Sequence, residues 1–386
     1  MRYLIRRRKN RILGVIAFLA VAILAIPALA GNPFVLSSGK ALQWPSSEIA
    51  YHMDPGDLGP YPGSLVQQLI MLAFRNWTDV PHSSLKIIYG GLLPENITED
   101  NYLKFSGKYY NPVIFDSDGA IIDALKGEGA SDSILGLSSP AHNNGSGTIV
   151  NSEIILNGKY LLGKGGDINR LFSTMLHEIG HFLGLDHSQL HPEFAFDNDP
   201  ANNIFLPVMF PIETDDRISP TNLSQDDRMT IQILFPGADF HTSLGSIRGT
   251  VTRPANEAVQ GANVVAEEID SPYLNSYAVV SDLSIDWTGE FAFYVPPGRY
   301  ILYIESINPR FTGSSRVGPF SDDRFSPSFV KPVLREYYNG TRENGYVNLD
   351  DPEDKEIITV RAGNSVEGIE FVSNEETLSV SDWSLF

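Results

Sequence analysis

The sequence predicts an α+β protein in two parts: a twisted mixed sheet with a site-bearing helix over residues 31–240, and an all-β sandwich over 244–374. Three observations predict it. Between Glu48 and Tyr89, an alternating run, a run with helical apolar spacing and a second alternating run follow in order, as in a strand-helix-strand unit. From Asp167 to Leu183 the apolar residues again recur at helical spacing. Beyond Gly237 that spacing stops, and short alternating runs separated by Gly and Pro turns take over.

The first thirty residues form a separate segment. Arg2, Arg6, Arg7, Arg8, Lys9 and Arg11 precede an uncharged run from Ile12 to Ala30 that ends in the small-x-small pattern Ala28-Leu29-Ala30. This reads as a secretory signal peptide over 1–30, which makes the expected location extracellular; an uncleaved N-terminal anchor is the competing reading. Without the segment, 22 basic residues face 47 acidic ones, a net charge of −25. Such a surface repels nucleic acid and anionic lipid. The chain has no cysteine, which excludes disulfides, thiolate metal ligands and a Cys nucleophile.

Taken in order, Glu48 to Met53 alternates as a strand, and Asp54 to Gly63 is turn chemistry. Ser64 is placed to cap a helix with Leu65, Leu69, Leu72, Ala73 and Trp77 on one face. Leu85 to Tyr89 and Pro112 to Phe115 read as strands. Asp116-Ser117-Asp118-Gly119 admits two readings, an Asp-Gly turn or a partial Ca2+ loop, and the other ligands of an EF-hand are missing. Gly136 to His142 is small and apolar, Asn143 to Gly147 is a loop, and Thr148 to Asn157 alternates as a half-buried strand.

The predicted helix starts near Asp167, a suitable cap, with Leu171, Met175, Leu176, Ile179, Phe182 and Leu183 as its core face. It carries His177-Glu178-Ile179-Gly180-His181-Phe182-Leu183-Gly184-Leu185-Asp186-His187. Residues four apart lie one turn apart on a helix, so His177 and His181 can grip one ion. Gly184 permits the left-handed backbone that turns the chain back and presents His187 as a third ligand. Three protein ligands leave a fourth position for water, the arrangement of a catalytic Zn2+ site, with Glu178 beside it as general base. A bare His-x-x-x-His pair is common on helix surfaces; the Glu, the Gly and the third His together are far more specific. The bland role for Glu178 is that of a carboxylate orienting a ligand.

The order of strand, helix, strands and histidine helix, followed by Val208-Met209-Phe210-Pro211, resembles the metzincin clan of zinc endopeptidases. Leu223-Ser224-Gln225-Asp226-Asp227 with Ile231, Gln232 and Leu234 is similar to the matrixin C-terminal helix. The resemblance covers roughly 45–237. It implies a metzincin-type catalytic domain that hydrolyses protein or peptide substrates, with His177, His181 and His187 on Zn2+, Glu178 as base and acid, and Met209 packed below the metal. It also implies a peptide paired with an edge strand near Gly136 to Ala141, and a side-chain pocket walled by the residues after Met209. Two departures stand out: the connection from His187 to Met209 is long, and the absence of cysteine removes the matrixin propeptide switch. Pro211 stands two residues after Met209, so the tyrosine of astacins and serralysins is not implied.

In the C-terminal part, the runs at Ser246 to Val251, Gly261 to Ala266, Gly289 to Phe293 and Pro296 to Leu302 together resemble the carboxypeptidase regulatory-like domain, a transthyretin-like sandwich. Asn308 to Lys355 is a long excursion, Ile357 to Val360 and Val366 to Val372 read as closing strands, and 375–386 is a tail. Stabilising the protease, binding a cell surface or polymer, and packing alone are the expected roles of this domain. A secreted zinc endopeptidase is therefore weighed against a zinc-bearing binding or adhesion protein that no longer cuts and whose sandwich is the working part.

Overall fold

A computed structural model describes residues 32–36, 40–108, 110–163, 167–211, 220–283, 287–307, 333–346 and 349–374; the predicted signal peptide and tail lie outside the described residues. The architecture is α+β, with three sheets and six α-helices among the described residues. No helix among these residues is long and apolar enough to cross a membrane.

The first sheet has the order β2-β1-β3-β5-β4. Its strands are β1 (Glu48–Met53), β2 (Lys86–Leu92), β3 (Pro112–Asp116), β4 (Gly136–His142) and β5 (Ile149–Asn157). Strands β1, β2, β3 and β5 run parallel, and β4 closes one edge antiparallel to β5. Strand β3 is buried at all five positions, because the sheet is covered on both faces and no alternation is needed. Val113 and Phe115 face one side, where α1 (Gly63–Thr78) packs; Ile114 faces the other, against Ile121 and Ile122 of α2 (Ala120–Lys126). A short helix α3 (Gly158–Gly163) then leads to α4 (Ile168–Leu183), which shares the α1 side. The Trp77 indole N–H of α1 donates to the Leu176 carbonyl of α4 at 3.1 Å, locking the two helices.

Helix α1 differs from expectation in two ways. It begins at Gly63 after Pro62, with no side-chain cap from Ser64. Its buried face is Val66, Ile70, Ala73, Phe74 and Trp77, while Leu72 is exposed. Leu69 packs against the core as expected, but the stripe is centred on Ile70 and Phe74 and leaves Leu72 outside it.

Helices α5 (Gln225–Leu234) and α6 (Phe240–Ser243) join the sheet region to two further sheets. One has the order β10-β6-β14, formed by β6 (Gly245–Arg253), β10 (Glu290–Val295) and β14 (Ser365–Val372), with β7 (Glu257–Ala258) beside β6. The other has the order β12-β11-β8-β9, formed by β8 (Ala262–Glu268), β9 (Ser276–Val280), β11 (Gly298–Ser306) and β12 (Glu336–Tyr337), with β13 (Ile358–Val360) on β11. Ile247, Val264, Phe293, Leu302 and Phe371 fill the space between them. Strand β9 escapes sequence reasoning because all five of its residues are buried, leaving no alternation to detect. Helix α5 serves both cores: Ile231 and Leu234 pack in the first, and Met229 packs in the second.

Candidate metal centre

The site begins with the way α4 starts and stops. The Asp167 carboxylate accepts from the Asn169 N–H at 2.9 Å and caps the helix. Leu171, Met175, Leu176, Ile179, Phe182 and Leu183 are all buried, which fixes the rotation of the helix about its axis. Gly184 closes it in the left-handed region at φ +109, with its N–H on the Gly180 and His181 carbonyls. That reversal brings His187 back over His177 and His181.

Among the described residues these three histidines are the group of potential ligands that converges, with one ring nitrogen of each within 4.8 Å of the others. The His187 Nε2 lies 3.1 Å from His181 Nε2 and 3.3 Å from His177 Nε2. His177 Nδ1 donates to the Val208 carbonyl at 2.7 Å and His181 Nδ1 to the Leu185 carbonyl at 2.9 Å. Those carbonyls fix the tautomers of His177 and His181, so the Nε2 of each carries a lone pair toward the His187 ring. Burial, with the neighbouring imidazoles, holds His181 down to about 3 and His187 well below its ordinary value, so both stay neutral. Tetrahedral ligands at about 2.0–2.1 Å stand roughly 3.3 Å apart, which the observed spacings match. His177, His181 and His187 could therefore hold a metal ion.

Glu178 points into the same space. It is 6% exposed, its Oε2 has no hydrogen-bond partner, and burial pushes its carboxyl up to about 8. Gly136, the first residue of β4, makes room for it: a β-carbon there would lie 2.8 Å from Glu178 Cγ and 3.0 Å from Oε1. The three histidines and Glu178 line a cleft of about 780 Å³ whose wall includes Gly136 to Pro140 of β4, with Val208, Phe210 and Pro211 also contributing. As the sheet order leaves β4 terminal, its outer edge is unpaired among the described strands.

Met209 lies beneath the helix, and Gly180 is the reason it fits: a β-carbon at Gly180 would stand 2.2 Å from Met209 Sδ. The turn is held from α5. Ser224 and Asp227 form a reciprocal capping box, and the Asp227 carboxylate also accepts from Val208 N–H at 2.9 Å and Met209 N–H at 3.1 Å. The carbonyl of that same Val208 orients His177. Asp226 faces the other way, accepting from Ser188 Oγ at 2.6 Å and from the Ala278 N–H of β9 at 2.8 Å. The connection after His187 is thereby tied to the second core, with Leu190 packed against Val265, Ala278 and Tyr303. The wall beyond Pro211 falls partly on 212–219, outside the described residues.

Sequence reasoning missed several supports. Residues 32–36 strap the site: Phe34 N–H donates to the Gly184 carbonyl at 2.9 Å, Asp186 N–H donates to the Asn32 carbonyl at 2.6 Å, and the Phe34 ring lies 5.3 Å from that of His181. No periodic signal marks such a segment. The Ser-x-x-Asp spacing at 224–227 could have announced the capping box, although not the carboxylate's second task. Asp116 and Asp118 are spent on structure rather than on a cation: Asp116 accepts from the Ile121 and Ile122 N–H groups and Asp118 from that of Ala120, at the start of α2. No protein-family model and no curated protein matches the chain.

Proposed function

We propose that the chain is a secreted zinc endopeptidase of metzincin type, with His177, His181 and His187 holding the ion. The observation that carries this reading is the convergence of three imidazole nitrogens beside an unpartnered, buried carboxylate oxygen of Glu178. Zinc held by the three histidines would supply Lewis acidity for a water and for a peptide carbonyl. A cation held beside it would favour the ionised form of Glu178, which is then placed to take the proton of the attacking water and return it to the leaving amine. An extended peptide pairs its backbone with the open edge of β4, which favours a polypeptide substrate over a small molecule. The closely packed helix and the Met209 turn keep the ligands in fixed rotamers, so little reorganisation is needed on reaction. Export through residues 1–30 accords with the acidic, cysteine-free composition.

Cleavage of casein or a peptide library, measured with and without chelator and with Glu178→Ala alongside, tests the proposal. Chelator-sensitive cleavage that disappears in the variant is the expected result. One equivalent of bound zinc with no cleavage by the unaltered chain would sink it.

A further inference from the structure

Two of the three candidate ligands are fixed by the helix that bears them, and the third is not. His177 and His181 project from α4, and each gives its Nδ1 hydrogen to a carbonyl. His187 lies beyond the helix end in a segment, 186–189, with no regular structure, and its buried Nδ1 has no hydrogen-bond partner. Its ring is therefore placed by the backbone on either side of it. On the near side the Asp186 N–H meets the Asn32 carbonyl, and the Asp186 carboxylate accepts from the His187 N–H at 2.8 Å. On the far side Ser188, Gln189, Leu190 and His191 are all buried, and the sandwich reaches the last three directly and Ser188 through Asp226.

The strand register shows how one sheet does this. In β8, Val264 and Ala266 face the sandwich core, so Asn263 and Val265 face outward. Asn263 stands opposite Glu305 of β11, and Val265 stands between Tyr303 of β11 and Ala278 of β9. The outward face of an antiparallel sheet commonly meets water. Here Asn263, Val265, Ala278 and Tyr303 are each 0% exposed, because the segment after His187 lies against them. Asn263 donates to the Gln189 carbonyl at 3.1 Å and to Glu305 at 2.8 Å. Leu190 packs on Val265, Ala278 and Tyr303, and the His191 ring meets that of Tyr273 edge-on at 5.8 Å. Strand β9 ends the sheet, and its Ala278 N–H donates to Asp226, whose other oxygen accepts from Ser188 Oγ. Two routes thus lead from the sandwich to the residues that follow the third ligand.

We propose that this face of the sandwich is a positioning surface for the metal centre: Asn263, through Gln189, and Ala278, through Asp226 and Ser188, hold His187 over His177 and His181. The inference rests on those histidines holding an ion and not on the chain cleaving peptides. A ligand outside any helix or strand is either ordered in advance by its neighbours or ordered by the ion at a cost in affinity. The sandwich removes that cost, which gives it a task in the metal centre besides any surface it binds. The linkage is reciprocal: a face that favours the metal-binding placement of His187 is itself stabilised when the metal binds.

The test is the zinc affinity of the full chain, measured by competition with a chelator, together with the visible absorption of the Co2+-loaded chain, which reports ligand geometry. Asn263→Ala is expected to bind zinc about tenfold more weakly and to alter the Co2+ bands. Ile369→Ala, in the other sheet of the same sandwich, lowers Tm by emptying its core and is expected to keep zinc affinity within about twofold. Zinc is further expected to slow amide exchange in β9 and not in β14. Should Asn263→Ala not fold, Leu190→Ala carries the same expectation as Asn263→Ala. Unchanged affinity and Co2+ bands in the folded variants, while the unaltered chain binds one equivalent of zinc and His177→Ala loses it, overturns the positioning surface alone. Failure of the unaltered chain to bind zinc sinks the assignment of the histidines to a metal and this inference with it.

Discussion

Replacing Asp227 with alanine breaks a chain of contacts that runs from α5 to a candidate ligand. The carboxylate accepts four hydrogen bonds, from Val208 N–H, Met209 N–H, Ser224 N–H and Ser224 Oγ. Alanine leaves the buried Val208 and Met209 donors without partners, at about 1–3 kcal/mol each. Loss of the capping box adds about 1 kcal/mol. The sum, about 3–7 kcal/mol, is a large part of a typical folding free energy and lowers Tm by roughly 5 °C or more. The more telling effect is on metal affinity. Val208 both donates to Asp227 and accepts from His177 Nδ1, so freeing its peptide loosens a ligand's orientation, for which a loss of about 10–100-fold in zinc affinity is expected. Competition with a chromophoric chelator measures this at a temperature where circular dichroism shows the variant folded. A zinc affinity within about twofold of the unaltered chain, despite the lower Tm, would refute the link from Asp227 through Val208 to His177.

Three further perturbations address other parts of the molecule. Gly136→Ala drives a β-carbon to within 2.8 Å of Glu178, so peptide hydrolysis should fall at least about tenfold while zinc content, read by atomic absorption, is unchanged. Gly180→Ala collides with Met209 and should cost about 1–3 kcal/mol in chemical unfolding, a loss that Met209→Ala in the same chain partly restores; additive losses would contradict the contact. Burial pushes the Asp226 carboxyl up to about 7, so the folded chain holds a proton that the unfolded chain releases near its ordinary value of about 3.9. Stability contributed by that proton is complete below the unfolded value and is lost as pH rises through about 7. The Tm of Asp226→Asn, relative to the unaltered chain, should therefore increase between pH 5 and 8, and a constant difference would exclude the titration of Asp226 as its cause.

The ease with which each feature was read follows the range of the interaction that makes it. Helix α4, its Asp167 cap, its Gly184 terminus and the convergence of His177, His181 and His187 depend on spacing within about twenty residues, where helical periodicity and backbone sterics leave few choices. The α+β class was legible for the same reason, from runs of period two and 3.6. Helix α1 was placed, and Leu69, Ala73 and Trp77 of its expected face meet the core, but Leu72 does not, because several apolar residues competed for the stripe and packing against the sheet and α4 decided among them.

The sequence by itself thus determined the local chemistry: three imidazoles and a carboxylate on a capped amphipathic helix with a built-in reversal. Only the tertiary structure decided what surrounds them. It set Gly136 against Glu178, Phe34 against His181, Asp227 under Met209 and Asp226 onto β9. These contacts join residues separated by tens to more than a hundred positions, and a pairing at that distance leaves no period in the chain, because it is fixed by how the cores close on one another.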